Sequence, residues 1–516
     1  MKRFTAILIA VSLTGAMLSA NSPAVRADGT QITVSSTAQL LAALQNVRAG
    51  DEIIIREGIY KPDASNGKWR AFEAVASGTE DQHIIIRSED PEKPATLCGL
   101  TPESKCVLYI TGSFWEIRDL KISTGCKGIF LAQSEHSVIS GCEVFDIGAE
   151  AVHIVDDSSY NLVENCVIHD TGLYQPQYGE GVYIGSAMNS TEYGFECHYN
   201  TVRGCQFGPN ITADHVDIKE FTYGNLVEYC TFDGTGIKGQ NGGDSFVEVK
   251  GNDAIVRYNT GYRNGCEKQL YGFDMSNQLD DWGRNNKFYD NKLYLDSEEV
   301  NIVKGWKCYA ECCRNTADPA SCTYFGNRVL SVRGYVLAGD ANEDGQLDYI
   351  DPAFLRDKLL GREVPHISPE NADLSGDSSL NAADLTMLKR KLLQNDTKEK
   401  AQIYVDFRKE ESGKWRMTDG LGTKTVTFRV SSKPDAGLNM GWGYWDPYYV
   451  DAETGKQGKW NQLSLGTVKL NADGIAEMIV ELPPDATNVA LEVYSASDSA
   501  GKLDKDEVTL DAVITS

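Results

Sequence analysis

Four short phrases decide the fold: SVISGC at Ser137–Cys142, NLVENC at Asn161–Cys166, NTVRGC at Asn200–Cys205 and NLVEYC at Asn225–Cys230. Each opens on Asn or Ser, runs through an apolar residue and closes on Cys. The cysteines are 24, 39 and 25 residues apart. One coil of a parallel β-solenoid uses about that much chain, and the longer interval leaves room for one loop. Equivalent residues of such a solenoid stack from coil to coil. Cys142, Cys166, Cys205 and Cys230 are therefore expected as an inward ladder of buried, unpaired thiols that act as small hydrophobes.

Working outward, residues 30–330 carry short apolar strands separated by Gly, Asn and Asp turns. Examples are EIII at Glu52–Ile55, HIIIRS at His83–Ser88 and FWEIRDLKI at Phe114–Ile122. Thr37 to Val47, with Leu40, Leu41, Leu44 and Val47, predicts a capping helix over the first open coil. Cys308, Cys312, Cys313 and Cys322 stand apart in a loop-like stretch, where a small disulfide or metal knot is open.

The chain has 516 residues, with 49 Lys+Arg against 74 Asp+Glu and a formal charge of −25. That length implies about three domains. The acidic balance speaks against nucleic acid, because phosphate binding needs a basic face. Residues 1–27 predict a signal peptide: Lys2 and Arg3, an apolar run from Ala6 to Met17, then Ala20, Ala24 and Ala27 near a cleavage site. The run is too short for an ordinary membrane span, and no later stretch reaches that length.

Residues 335–395 hold a loop and helix repeated after 33 residues. The first loop offers Asp340, Asn342, Asp344, Gln346 and Asp351. The second offers Asp373, Ser375, Asp377, Ser379 and Asp384. Oxygen ligands at loop positions 1, 3, 5 and 12, with a backbone carbonyl at 7, suit calcium. Ser378 stands where a glycine usually makes the sharp turn, so the second site is expected to bind more weakly. This duplicated half EF-hand resembles a type I dockerin. The resemblance implies a bacterial source, calcium-dependent folding and a cohesin of a scaffoldin as partner.

Residues 401–516 alternate in QIYVDF, KTVTFRV, AEMIVEL and VALEVY, which predicts a β-sandwich. Its aromatic crowd, Trp442, Tyr444, Trp445, Tyr448 and Trp460 among them, can form a glycan platform or fill the core. The domain resembles carbohydrate-binding modules in general shape. The fold class expected for the whole chain is mainly β, with a small all-α dockerin between solenoid and sandwich.

Candidate chemistry lies in VDIK at Val216–Lys219 and VEVK at Val247–Lys250. Strand alternation points the apolar residues inward. Asp217 then sits beside Glu248, and Lys219 beside Lys250, all facing solvent. His153 and Tyr183 precede them in the column, Asp274 follows, and Asp214 lies just before. Acids next to lysines suit β-elimination on a uronate polymer: a cation neutralises the sugar carboxylate and a base takes the C5 proton. Residues 30–330 resemble the pectate lyase-like right-handed β-helix group, through GDEIIIREGIYK at Gly50–Lys61 and ADHVDIKEFTYGNLVEYCTFDG at Ala213–Gly234. The resemblance implies Lys219 as base, Lys250 as second basic residue, and Asp214 and Asp217 as calcium-binding acids; the stacked Glu248 and Asp274 complete the candidate metal ligands. It also implies a plant cell-wall polysaccharide such as pectate as substrate. A glycoside hydrolase using Asp217, Glu248 and Asp274 as paired carboxylates is the alternative. A non-catalytic glycan-binding subunit is the third.

Overall fold

The computed structural model describes residues 29–516 except 65–68, 277–278, 280–281, 309, 327–328, 349, 363, 365, 394–401, 406, 410–412, 418–424, 451–455, 484–485, 499–500, 505–506 and 516. The expected signal peptide lies outside the described residues.

The solenoid is a parallel β-helix. Its coils feed three sheets, and one of them runs in unbroken parallel order from Arg70–Ala74 to Asn301–Trp306 through nine strands. The capping helix spans Thr37–Asn46 and buries Leu40, Ala43 and Leu44. Ser36 accepts the backbone N–H of Gln39 to start it.

The recurring phrase now has a physical meaning at each position. Its opening Asn161, Asn200 and Asn225 form an amide ladder, with Asn161 Nδ2 donating to Asn200 Oδ1 at 3.0 Å and Asn200 Nδ2 to Asn225 Oδ1 at 3.3 Å. These amides also bond backbone groups that the turns would leave buried and unpaired. The residue before each cysteine has a left-handed backbone: Gly141, Asn165, Gly204 and Tyr229. Gly and Asn adopt it at low cost. Tyr229 does not, and its ring stacks on Tyr258 at 5.1 Å.

Cys142, Cys166, Cys205 and Cys230 are buried and unpaired, as the spacing predicts. The column then changes chemistry, continuing as Asn259, Asn291 and Asn315 in a second amide ladder. Cys308, Cys312, Cys313 and Cys322 form no disulfide. Cys312 and Cys313 belong to a strand, Ala310–Cys313, and Cys308, Cys312 and Cys322 join the solenoid core.

Residues 336–400 form a compact unit of their own. Helices Ile350–Leu359, Pro369–Ala372 and Ala382–Leu393 close over Ala341, Leu355, Ala372 and Leu388. The two loops share their central turn bonds. Asp344 N and Gly345 N donate to Asp340 just as Asp377 N and Ser378 N donate to Asp373.

Beyond residue 401 two antiparallel sheets give the expected sandwich. One orders Gln402–Val405, Thr509–Thr515, Thr425–Ser431 and Ile475–Glu481. The other orders Phe407–Lys409, Trp415–Met417, Thr487–Asp498, Gly437–Val450 and Gln457–Lys469. Val426, Phe428, Leu438, Met440 and Leu491 fill the space between.

Candidate active site

The nine-stranded sheet repeats one pattern: EAVHI at Glu150–Ile154, EGVYI at Glu180–Ile184, DHVDIK at Asp214–Lys219 and SFVEVK at Ser245–Lys250. The second apolar position of each strand enters the core and the central residue leaves it. The register therefore stacks Phe130, His153, Tyr183, Asp217, Glu248, Asp274 and Lys304 in one outer column. Glu150, Glu180 and Asp214 precede it on successive strands. Lys219 and Lys250 follow it, each donating its backbone N–H to the coil before.

The sequence places this column correctly and its exposure wrongly. Asp217, Glu248 and Lys219 are buried, at 4%, 5% and 8% exposed, rather than facing solvent. Strands in adjacent coils lie about 5 Å apart, so long side chains cover one another. Flanking loops add to the cover: Met188 N–H donates to Glu220 at 2.7 Å.

Burial forces each charge to find a partner. Lys250 Nζ bonds Asp217 Oδ1 at 3.1 Å and Glu248 Oε2. Lys304 Nζ bonds Asp274 Oδ2 at 2.7 Å. Lys219 is held more loosely, with Asp217 Oδ2 at 3.4 Å and Glu220 at 4.0 Å. Asp214 leaves this network and accepts from Ser245 N and Oγ. Burial lowers the Lys250 pKa, but Asp217 and Glu248 outweigh it and hold the ammonium well above its ordinary value. Asp217, pushed up by burial, is drawn lower on balance by Lys219 and Lys250. Burial, then Glu248 and Asp217, push Asp214 well up. Burial and Glu248 push Asp274 up to about 7. Tyr183 is raised by burial and by Asp217, and so keeps its proton.

Does calcium fit here? In the solenoid the ammonium groups of Lys250 and Lys304 already stand against Asp217, Glu248 and Asp274, where a cation would sit. In this arrangement Lys250 and Lys304 compensate the charge of Asp217, Glu248 and Asp274, while Asp214 turns to Ser245. The dockerin loops differ in chemistry. Burial, then Asp344, Asp348 and Asp340, push the Asp351 carboxyl well above its ordinary value. Such mutual repulsion among hard oxygen donors fits a divalent cation.

The sequence reading gave Tyr183 no role and missed Glu150, Glu180, Lys127 and Lys304. The aligned pattern above, with an acid two residues before the strand's Val in three of the four strands, was the available signal for the two glutamates.

The sandwich divides its aromatic crowd. Trp442 is buried on the inner face beside Met440, with Tyr444 stacked on it at 5.7 Å. Trp445 and Trp460 face each other across two strands on the outer face. There the Trp460 ring lies against Gly443, where any Cβ would come within 2.6 Å of it. Gln462 links Trp460 Nε1 to the Tyr494 hydroxyl. The Tyr448 side chain lies outside the described residues.

A coiled parallel sheet bearing this acid and lysine column defines a protein of the polysaccharide-lyase solenoid class. The chain belongs to the Pel9A-like, right-handed β-helix family, whose model matches residues 20–301, and it carries a type I dockerin domain at residues 338–393. Among solved structures it is similar to an alginate lyase from Paenibacillus sp. str. FPU-7. Identity is 39%, over 58% of this chain and 98% of that one, with a TM-score of 0.55. It is also matched to the pectate lyase Pel9A, at 15% identity over 56% of this chain and 72% of that one, with a TM-score of 0.40. A search of curated proteins gave no match. No described helix is long and apolar enough to cross a membrane.

Proposed function

We propose that the protein is an exported polysaccharide lyase that cleaves a uronate polymer by β-elimination, carried into a multi-enzyme complex by its dockerin bound to a cohesin. One observation carries the reading: the three lysines in and beside the column are bound unequally. Lys250 and Lys304 are clamped by carboxylates and stay charged. Their ammonium N–H groups are the donors that meet a uronate carboxylate and make its C5 proton more acidic. Lys219, the most loosely paired, is the base. As it takes the C5 proton, the C4–C5 double bond forms and the C4–O bond breaks. Tyr183 protonates the departing oxygen, and the Lys219 ammonium, 5.3 Å from the Tyr183 ring, returns the proton. Calcium is assigned to the dockerin loops.

Alginate is the first polymer to test, since the 39% identical relative is an alginate lyase. Pectate is the second. Ultraviolet absorbance of an unsaturated uronate, rising as chains shorten, is the expected result. New reducing ends without that absorbance would overturn elimination and favour a hydrolase. Cohesin capture of the full chain, lost on chelation, tests the docking role.

On the sandwich, the outer-face rings of Trp445 and Trp460 are the glycan platform, with Tyr494 beside them. Trp442 and Tyr444 support the fold beneath.

A further inference from the structure

The 39-residue interval between Cys166 and Cys205 locates an insertion beside the column. Strand Val182–Ile184 is separated from Thr201–Arg203 by residues 185–200, whereas Val152–Val155 reaches Leu162–Glu164 in six residues. The inserted loop is firmly held. Gly194 N–H donates to Asp156 at 2.8 Å, Glu196 N–H to Asp157 at 2.9 Å, and Ser186 Oγ to Gly194 O at 3.0 Å. It brings Tyr193 against Phe130, ring centroids 5.7 Å apart. Opposite it, the turn Pro176–Tyr178 raises Tyr178. Between these walls lies a cavity of about 250 Å³, floored by Lys127, Glu150, His153 and Tyr183.

We infer that this cavity is a sugar subsite that reads the hydroxyl configuration of the uronate unit next to the cleaved bond. This rests on the lyase reading and deepens it. The two tyrosine rings offer faces to the C–H face of a pyranose. The floor sets a donor beside an acceptor: Lys127 Nζ bonds Glu150 Oε2 and lies 3.2 Å from His153 Nδ1. Burial and Lys127 hold His153 down to about 3, so it is neutral and Lys127 is the only cation of this floor. With Glu150 ionised beside it, the floor carries no net charge, which suits vicinal hydroxyls better than a carboxylate. The carboxylate is met further along, by Lys250. Hexuronates share the carboxylate and differ in hydroxyl configuration, so a neutral donor-acceptor floor is where discrimination between polymers arises.

The test compares the full chain with Tyr193→Ala and Glu150→Gln on alginate and on pectate. On the better polymer Tyr193→Ala raises KM about ten-fold with kcat within about two-fold. Glu150→Gln keeps the side-chain shape and shifts the ratio of kcat/KM between the two polymers. Unchanged KM and unchanged preference in both variants overturn the inference. If neither polymer is cleaved, calorimetry with a saturated oligouronate separates the two ideas. Binding by the parent chain that weakens about ten-fold in Tyr193→Ala upholds the subsite without the lyase reading. Equal binding, or none, overturns the subsite.

Discussion

Lys250 Nζ reaches back across one coil to Asp217 Oδ1 at 3.1 Å while also bonding Glu248, so one ammonium joins two carboxylates of adjacent strands. Lys219, its neighbour in the same column, has Asp217 Oδ2 at 3.4 Å as its nearer partner. The same residue type in adjacent coils thus has two different tasks.

The difference is measurable. Lys219→Ala is expected to lower turnover by a factor on the order of 10², the scale of a lost general base. Its melting point should fall little, because Asp217 keeps Lys250. Lys250→Met leaves Glu248 and Asp217 buried with less compensation and should cost roughly 3–5 kcal/mol in urea unfolding. Near-normal uronate cleavage by Lys219→Ala would remove it from the mechanism.

Asp274 makes stability depend on pH. Its carboxyl is raised to about 7 by burial and Glu248, above its unfolded value near 4. The folded state therefore binds more protons between those values. The stabilisation is complete below pH ~4 and is lost as pH rises through ~7. Asp274→Asn should flatten the unfolding free energy over that window. A slope unchanged from the parent chain would assign the pH dependence to other groups.

Calcium removal should unfold the dockerin unit and leave the solenoid intact, because Asp340, Asp344, Asp348 and Asp351 crowd one loop while the solenoid acids hold lysines. Ser378 has φ of 64°, matching Gly345 at 80° in the first loop. A non-glycine residue pays about 1–2 kcal/mol there. Ser378→Gly should tighten the second site at least about five-fold. Calcium titration followed by circular dichroism reads both effects.

The sequence made the solenoid legible because its periodicity is enforced by stacking: Asn161, Asn200 and Asn225 must align for their amides to bond, and the Asn-to-Cys phrase records that. The column of Asp217, Glu248 and Asp274 was legible for the same reason. Its burial was not. Alternation says which way a side chain leaves the strand, and says nothing of the loops that cover it, such as the one carrying Met188 and Tyr193. The charge pairing within the solenoid was not legible either. Acids and lysines can be read from spacing, but which ammonium lies against which carboxylate depends on rotamers across coils.

The sandwich offers a test in which two tryptophans of one hairpin should behave oppositely. Strand alternation separates them: Trp442 pairs with Leu463 and Leu491 and faces inward, while Trp460 pairs with Trp445 and faces outward. Trp442 is 7% exposed, so Trp442→Ala opens a cavity and should cost about 3–5 kcal/mol. Trp460→Ala removes a ring lying on Gly443 and should leave the melting point within a few degrees, while weakening retention on an immobilised uronate polymer. Gly443→Ala perturbs the same spot, because its methyl would meet both that ring and the Asn461 carbonyl oxygen at 2.6 Å. It should weaken retention in the same direction as Trp460→Ala. Retention equal to the parent chain's in both variants, with Trp442→Ala still destabilising, would mean the outer rings do not bind glycan and the sandwich has another task.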